Sequence, residues 1–480
     1  MENIEIVNHQ NTKIVATLGP ASTSSEMLLK LIKAGVDVFR LNFSHGSHEV
    51  HQQTIDKILE LKQKYKSHVG ILADLQGPKL RVGKIENNAL EINKGDILTF
   101  VNEECLGNME RIYMSYKSFA QDVKVGESVL VDDGKLVLKV VETDGNSTVK
   151  LEVQYGGILS SNKGVNLPDT KISLPSLTAK DEEDLEYILT QPVNWIALSF
   201  VRKAQDIKQL KKKIAAVNHP AKVIAKIEKP EAVQKMKEII KASDAVMVAR
   251  GDLGVEVPME KLPAIQKAII KQCIQRGKPV IVATQMMESM ITNPSPTRAE
   301  ITDVANAVLD GADAVMLSGE TSVGAHPAKV VESMNKIIEE AEKHYEMQGK
   351  RPKPNKDSDT FYSDVICLSA PKIAEDIGAK ALLGLTVSGY TAFKMSSFRP
   401  NCKIFIFSDR EHMLSTLNLA WGVKCFLYEK FTTTDETIDD LLNILKENEV
   451  VEIGDVVVNT GSMPLKKRFR TNMLKITIVD

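Results

Sequence analysis

Eight short apolar segments, each closing on polar residues and followed by a helix-like stretch, constrain this chain more than any other feature. They are TKIVATLG (12–19), VFRLNFS (38–44), HVGILADL (68–75), WIALSF (195–200), KVIAKIE (222–228), AVMVARG (245–251), PVIVAT (279–284) and AVMLSG (314–319). Strands alternating with helical patterns imply parallel βα units. Eight of them predict an α/β fold built on a closed (β/α)8 TIM barrel, with its chemistry at the C-terminal ends of the strands. The rhythm breaks once: the third segment ends at residue 75 and the fourth opens at residue 195, too long a gap for a simple βα connection. Between 83 and 170 lie the strand-like runs DILTF, SVLVDDGKLVLKVVETDGNSTVKLEVQYGG and NLP, punctuated by DDG, TDG and GG. They predict a small inserted all-β domain, placed to act as a lid over the barrel mouth. After a helix expected around 327–348, QGKRPKPNKDSD reads as a charged, proline-bearing linker. ALLGLTV, CKIFIFS, VKCFLYE, DVVVNTG and MLKITIV then predict a separate C-terminal open α/β sheet domain. The expected units are thus 1–82 with 171–350 for the barrel, 83–170 for the lid and 351–480 for the C-terminal domain.

A chain of 480 residues has room for such a set of units. Its 61 basic and 63 acidic residues nearly cancel, which gives no global bias towards nucleic acid or an anionic membrane and leaves charge selectivity to local clusters. The first thirty residues lack a cationic start with a long apolar run, and no window approaches a membrane-spanning length; a soluble, cytoplasmic protein is expected. Cys105, Cys273, Cys367, Cys402 and Cys425 stand singly, which predicts free, mostly buried thiols. His45, His48 and His51 recur at intervals of three; such residues drift round a helix, so a solvated helix start is expected rather than a metal site.

Polar residues gather at the strand ends. Alternation in FRLNFS puts Arg40, Asn42 and Ser44 on one strand face and Leu41 and Phe43 on the other, and Asp74 at the next strand end joins them. Arginine beside small polar groups suits a phosphate grip; a hydrogen-bonded layer inside the barrel is the plainer alternative. In KIE, Lys226 and Glu228 share a face, and ARGDLG brings Asp252, two glycines and the free N–H groups of a helix start. Two hard carboxylates from adjacent strand ends suit Mg²⁺, which takes few protein oxygens. Lys226 beside them suits negative charge developing on a transferring phosphoryl group, with a buried ion pair as the alternative. The last two strands end in Thr284 and Gln285, and in Ser318, Gly319 and Glu320, whose hydroxyls suit a substrate carboxylate or proton delivery. The combination points to Mg²⁺-assisted chemistry on a small phosphorylated acid. In the C-terminal part, LTVSGYTA (385–392) is a hydroxyl-rich turn able to cradle a phosphate through backbone N–H groups and Thr386, Ser388 and Thr391 around Gly389.

The series LGPAS (18–22), RLNFSHG, QGPK, AKIE, MVARGDLG, ATQMMESM, PTRAE and DVANAVLDGADAVMLSGET resembles the pyruvate kinase family over nearly the whole chain. The resemblance implies phosphoryl transfer from phosphoenolpyruvate to ADP, giving pyruvate and ATP in the last step of glycolysis. It implies Mg²⁺, with Mn²⁺ as a substitute, on Glu228 and Asp252; Arg40 and Lys226 on the moving phosphoryl group; Gly251, Asp252 and Thr284 on the substrate carboxylate; and Thr284 and Ser318 on the proton route to carbon. Pro20, Asn42, His45 and Arg81 match the ADP side. Many family members require K⁺, bound by residues matching Asn42, Ser44, Asp74 and the carbonyl of Leu75. Where the family reads DTKGPEIR this chain reads DLQGPKLR, and lysine at the place of that glutamate goes with enzymes that need no K⁺. The ammonium of Lys79 would supply the charge that a free cation supplies elsewhere. The stretch holding Thr386, Ser388, Gly389 and Thr391 resembles the allosteric sugar-phosphate site, leaving a hexose or pentose monophosphate, AMP or fructose 1,6-bisphosphate as effectors, and a homotetramer is implied. Two rival classes are a Mg²⁺-dependent carbon–carbon lyase, which ADP would not affect, and a non-catalytic phosphometabolite binder, which would have no use for Lys226 and the metal carboxylates.

Overall fold

A computed structural model describes residues 10–345, 351–430, 433–464 and 470–480. All eight predicted segments form strands: β1 (Lys13–Thr17), β2 (Val38–Asn42), β3 (Gly70–Asp74), β4 (Trp195–Leu198), β5 (Lys222–Ile227), β6 (Ala245–Ala249), β7 (Val280–Ala283) and β8 (Ala314–Leu317). They pair in sequence order, all parallel, and β8 closes on β1. The strands are almost wholly buried because helices cover the outside of the barrel and side chains fill the inside, which is why they read as continuous apolar runs. Inward residues such as Val15, Leu72, Trp195, Ile224, Met247 and Ile281 pack a core of their own, while Ile14, Phe39, Leu41 and Ile71 face the helix layer. Continuing the inward parity towards the C-terminal ends reaches Thr17, Arg40, Asn42, Asp74, Lys226 and Glu228. The same two-residue period that fills the lower barrel with apolar groups therefore delivers a polar layer at its top.

Between β3 and β4 the chain builds a six-stranded sheet, in spatial order 165–166, 128–131, 136–143, 148–155, 97–101 and 112–113, with a two-stranded ribbon of 90–92 and 157–159 beside it. The predicted DDG turn is present in the four-residue loop between 128–131 and 136–143, with Asp132, Asp133 and Gly134 all at positive φ. Alternate residues such as Val129, Leu138, Leu151 and Val153 are buried in the lid's own core.

The C-terminal domain is the open sheet expected: β9 (Ala381–Leu385), β10 (Lys403–Ser408), β11 (Val423–Leu427), β12 (Val456–Gly461) and β13 (Met473–Ile478), in spatial order β11-β10-β9-β12-β13. Only β13 runs antiparallel to its neighbour. The domain docks on the floor of the barrel, where Trp195 donates from Nε1 to the Thr416 carbonyl (3.2 Å) and Asn194 from Nδ2 to the His412 carbonyl (3.1 Å).

Three expectations need correction or limit. The helix expected to about residue 348 runs over Pro327–Glu342, and part of the expected linker lies outside the described residues. The histidine triplet does stand at a helix start, that of His48–Tyr65, with His45 exposed, but it is only partly solvated: His51 is buried and stacks on Phe43 (4.3 Å), while His48 pairs with Asp184 (2.8 Å) and stacks on Tyr187 (4.4 Å). An aromatic cluster against the neighbouring helix has absorbed two of the three rings, and no metal grouping results. The five cysteines are free, Cys273 and Cys367 buried and Cys105, Cys402 and Cys425 half-buried. Among the described residues no helix is long and apolar enough to cross a membrane.

Candidate active site

The polar layer at the C-terminal ends of β2, β3 and β5 is one connected network. Arg40 donates from Nε to Asp74 Oδ2 (2.7 Å) and from Nη1 to Thr17 Oγ1 (2.9 Å). Lys226 Nζ lies 3.4 Å from Asp74 Oδ1 and 3.0 Å from Glu228 Oε1, and donates to Ser199 Oγ at 2.6 Å. Ser199 in turn donates to the Leu75 carbonyl (2.7 Å), and the Phe200 amide donates to Glu228 Oε2 (2.6 Å). Burial by itself would discharge Lys226, yet the Asp74 and Glu228 carboxylates outweigh it and hold its affinity for the proton above the usual lysine range. Burial likewise opposes ionisation of Asp74, but Lys226 and Arg40 together keep it below the usual carboxylate range.

Glu228 behaves differently. Burial pushes it up, Lys226 relieves this only in part, and the neighbouring Asp252 adds like-charge repulsion. Among the described residues its Oε1 and Asp74 Oδ1 each meet the Lys226 ammonium as an ion contact and accept no hydrogen bond. A buried carboxylate whose Oε1 meets only the Lys226 ammonium and which a second carboxylate repels is what a hard divalent cation would relieve, so Glu228 and Asp252 fit Mg²⁺. Among the described residues there is no cluster of three or more His, Cys, Asp or Glu able to hold a metal; two carboxylates suit an ion that keeps waters and substrate oxygens as its other ligands.

Asp252 rides on the helix Arg250–Glu256, which opens directly from β6. The Gly251 amide there donates to Thr284 Oγ1 (2.7 Å). Thr284, a β-branched residue, sits at φ +71° and is followed by Gln285 at +52°, a strained pair of the kind that accumulates at functional sites. Arg250 holds this turn in place, donating to the Thr284 carbonyl (2.6 Å) and pairing with Asp303 (2.7 Å). At the end of β8 the Ser318 amide donates to Glu320 Oε2 (2.7 Å), and Glu320 Oε1 receives the Met287 amide (3.1 Å).

The remaining candidates line the mouth. The Ser44 amide donates to Asn42 Oδ1 (3.2 Å). Pro20 is exposed on the loop after β1. Arg81 donates to the Asn162 carbonyl (2.9 Å) at the root of the lid. His45 is held below the usual histidine range by burial, with Arg81, Lys79 and Arg40 adding positive charge around it, so this corner attracts anions. Lys79 itself is exposed and lines a shallow cleft between lid and barrel together with Asp252, Lys229 and Arg202. The charges that balance Asp74 come from Arg40 and Lys226, and Lys79 forms no ion pair among the described residues. In the C-terminal domain Gly389, at φ +80°, caps the helix Tyr390–Ser397, and its amide donates to Thr386 Oγ1 (3.0 Å). The Thr391 hydroxyl meets that of Thr471 (2.6 Å), and Ser388 is exposed. This turn lies beyond β9, where the strand order of the sheet reverses, the usual ligand position of an open α/β sheet.

Sequence reasoning missed Thr17, Ser199 and Arg250. The first two were within reach of the alternation argument, since Thr17 continues the parity of Val15, and Ser199 that of Trp195 and Ala197. Arg250 points back at β7, which only the folded barrel reveals.

Comparison with known proteins agrees with this geometry. Residues 9–331 match the model of the pyruvate kinase barrel domain and residues 364–477 that of the pyruvate kinase alpha/beta domain. Pyruvate kinase 2 of Synechocystis sp. is 44% identical over 475 residues, covering 98% of this chain and 79% of that protein. The pyruvate kinase of Clostridium perfringens is 42% identical over 474 residues, covering 97% and 99%. A crystal structure of a pyruvate kinase from Cryptosporidium parvum superposes with a TM-score of 0.91 at 36% identity, covering 98% of this chain and 96% of that one. Barrel, inserted β sheet and C-terminal α/β sheet match a pyruvate kinase structure, and the chain, a phosphotransferase, belongs to the pyruvate kinase family.

Proposed function

We propose that this protein transfers the phosphoryl group of phosphoenolpyruvate to ADP, with Mg²⁺, giving pyruvate and ATP as the last step of glycolysis in the cytoplasm. The observation that carries the reading is the buried Lys226 ammonium, held charged between Asp74, Glu228 and Ser199 at the end of β5. Glu228 and Asp252 would hold Mg²⁺, or Mn²⁺ in its place. Bound there, the cation would supply positive charge that offsets the negative charge of the substrate. Arg40, fixed by Asp74 and Thr17, and Lys226 present their N–H groups to the phosphoryl group as it leaves the enol oxygen. Lys226 then faces the enolate left behind. The substrate carboxylate would take the Gly251 and Asp252 amides, displacing the Thr284 hydroxyl from Gly251 and freeing it, with Ser318 and water, to deliver a proton to carbon. Pro20, Asn42, His45 and Arg81 offer the ADP phosphates a positive corner, and the lid, residues 83–170, closes over the barrel of 1–82 and 171–350 to exclude water. The C-terminal domain, 351–480, would take a phosphorylated effector at Thr386, Ser388, Gly389 and Thr391: a hexose or pentose monophosphate, AMP or fructose 1,6-bisphosphate. A homotetramer is the expected assembly.

The same reading makes the enzyme independent of K⁺. Lys79 carries an uncommitted charge on a flexible stem at the cleft shared with Asp252, while Asn42, Ser44, Asp74 and Leu75 match the cation ligands of other members. Pyruvate formation, coupled to lactate dehydrogenase, is to be compared in K⁺ and in a large organic cation. Equal turnover in both is expected, and Lys79→Glu is expected to make turnover depend on K⁺. Activity of the unaltered protein only in K⁺ would remove the role given to Lys79 and leave the kinase; no pyruvate in either buffer, with sugar phosphates and AMP added, would remove the kinase.

A further inference from the structure

Behind the two metal-fitting carboxylates lies a third, Glu256, which no step above uses. It ends the helix Arg250–Glu256, one turn after Asp252, so the two project from the same side. Its Oε1 accepts a hydrogen bond from Lys229 Nζ (2.5 Å) and another from Asn166 Nδ2 (2.8 Å). All three residues are buried, Glu256 at 3% exposure, Lys229 at 6% and Asn166 at 8%. Each belongs to a different part of the molecule. Asn166 lies on the lid strand 165–166, paired with 128–131. Lys229 directly follows Glu228, and its ammonium stands 5.9 Å from the ring of Phe200, whose amide holds Glu228 Oε2. Glu256 closes the helix that carries Asp252. A second strap runs alongside, Arg202 donating to the carbonyls of Ile172 and Leu174 where the chain returns from the lid.

We propose that Glu256 is a positioning residue that ties the lid to the metal carboxylates: through Asn166 it fixes the lid, through Lys229 the backbone next to Glu228, and through its own helix Asp252. Lid position and the spacing of the two carboxylates are then set together. Groups that orient ligands from behind affect metal affinity without touching the ion, and a buried carboxylate with two donors on one oxygen tolerates little displacement of either. Among the described residues its other oxygen, Oε2, has no hydrogen-bond partner, so Lys229 and Asn166 are the donors seen to hold it.

The inference rests on the kinase reading for its meaning but is tested apart from it, by Mn²⁺ binding to the free protein followed by electron paramagnetic resonance, with no substrate present. Asn166→Ala removes the lid's donor and leaves the Lys229–Glu256 pair intact. It is expected to weaken Mn²⁺ binding by about tenfold and to speed deuterium uptake in 128–131 and 165–166, with the thermal midpoint of the barrel unchanged. Glu256→Gln keeps the shape and is expected to weaken Mn²⁺ at least as much; should it fail to fold, Asn166→Ala decides the matter alone. Faster exchange in the lid with Mn²⁺ affinity within twofold of the unaltered protein would make Asn166 a lid anchor with no link to the metal site and overturn the proposal. So would no change in either readout. Failure of the unaltered protein to make pyruvate would count against the kinase reading and leave this comparison standing.

Discussion

Lys226 shows how much one residue owes to its neighbours. An ammonium buried alone would lose its proton, and two carboxylates buried alone would gain theirs; together with Arg40 they keep Lys226 and Asp74 ionised. Lys226→Met is therefore expected to lower kcat by about 10³-fold, the scale for removing one preorganised donor facing developing negative charge. It also leaves Asp74 and Glu228 with less compensation, so the variant's thermal midpoint is expected to fall in metal-free buffer and to recover in part with Mn²⁺. The coupled assay and melting curves with and without Mn²⁺ check both; kcat within tenfold of the unaltered protein would exclude Lys226 from the chemistry. Lysine and glutamate separated by one residue on a strand were readable as a same-face pair from the sequence. That Ser199 and Asp74 complete the pair was not, because they arrive from β4 and β3.

At the scale of elements, a strand must serve two environments in five residues: β2 passes from Val38 in the apolar barrel floor to Arg40 and Asn42 in the polar layer. The opposite ends of the strands meet the C-terminal domain. The helix Glu411–Leu417 packs there, with Lys62 Nζ on Ser415 Oγ (2.8 Å) and Asn418 Nδ2 on the His68 carbonyl (2.6 Å) just before β3. Burial, with Lys62 adding to it, pushes the His68 ring down to about 4 from an ordinary 6.5. A histidine lowered in the folded state favours folding in its neutral form, so its contribution is complete above about pH 6.5 and is lost as the pH falls towards 4. The gap corresponds to about 3 kcal/mol. The thermal midpoint is expected to drop between pH 7 and 4.5, and His68→Gln is expected to flatten that drop. Parallel curves for the two proteins would assign the acid sensitivity to other groups. The strands and their parity were legible in the sequence, whereas the burial of His68 was not, since the segment before β3 carries no mark of the helix that covers it more than 300 residues later.

For the whole molecule, the barrel and the C-terminal sheet are joined through Arg399. Two residues beyond the helix Tyr390–Ser397, it pairs with Asp313 (3.0 Å), donates to the Gly311 carbonyl (2.9 Å) and stacks over Trp421 (5.1 Å). Asp313 directly precedes β8 and also receives the Val280 amide (3.0 Å). Arg399→Met strands a buried carboxylate at this junction and is expected to cost about 3–5 kcal/mol, seen in calorimetry as melting of the C-terminal domain ahead of the barrel. A single, unshifted transition would show that the two domains are held by other contacts. The sequence by itself determined the architecture and the residue types of the site, because strand periodicity and the composition of strand ends are local properties that survive in one dimension. The tertiary structure decided which groups share a charge: that Arg40 and Lys226 balance Asp74, that Lys79 stands in the lid cleft, and that Glu256 meets Asn166. Electrostatic partnership depends on distances of a few ångströms between segments tens to hundreds of residues apart, and only closure of the barrel and docking of the lid set those distances.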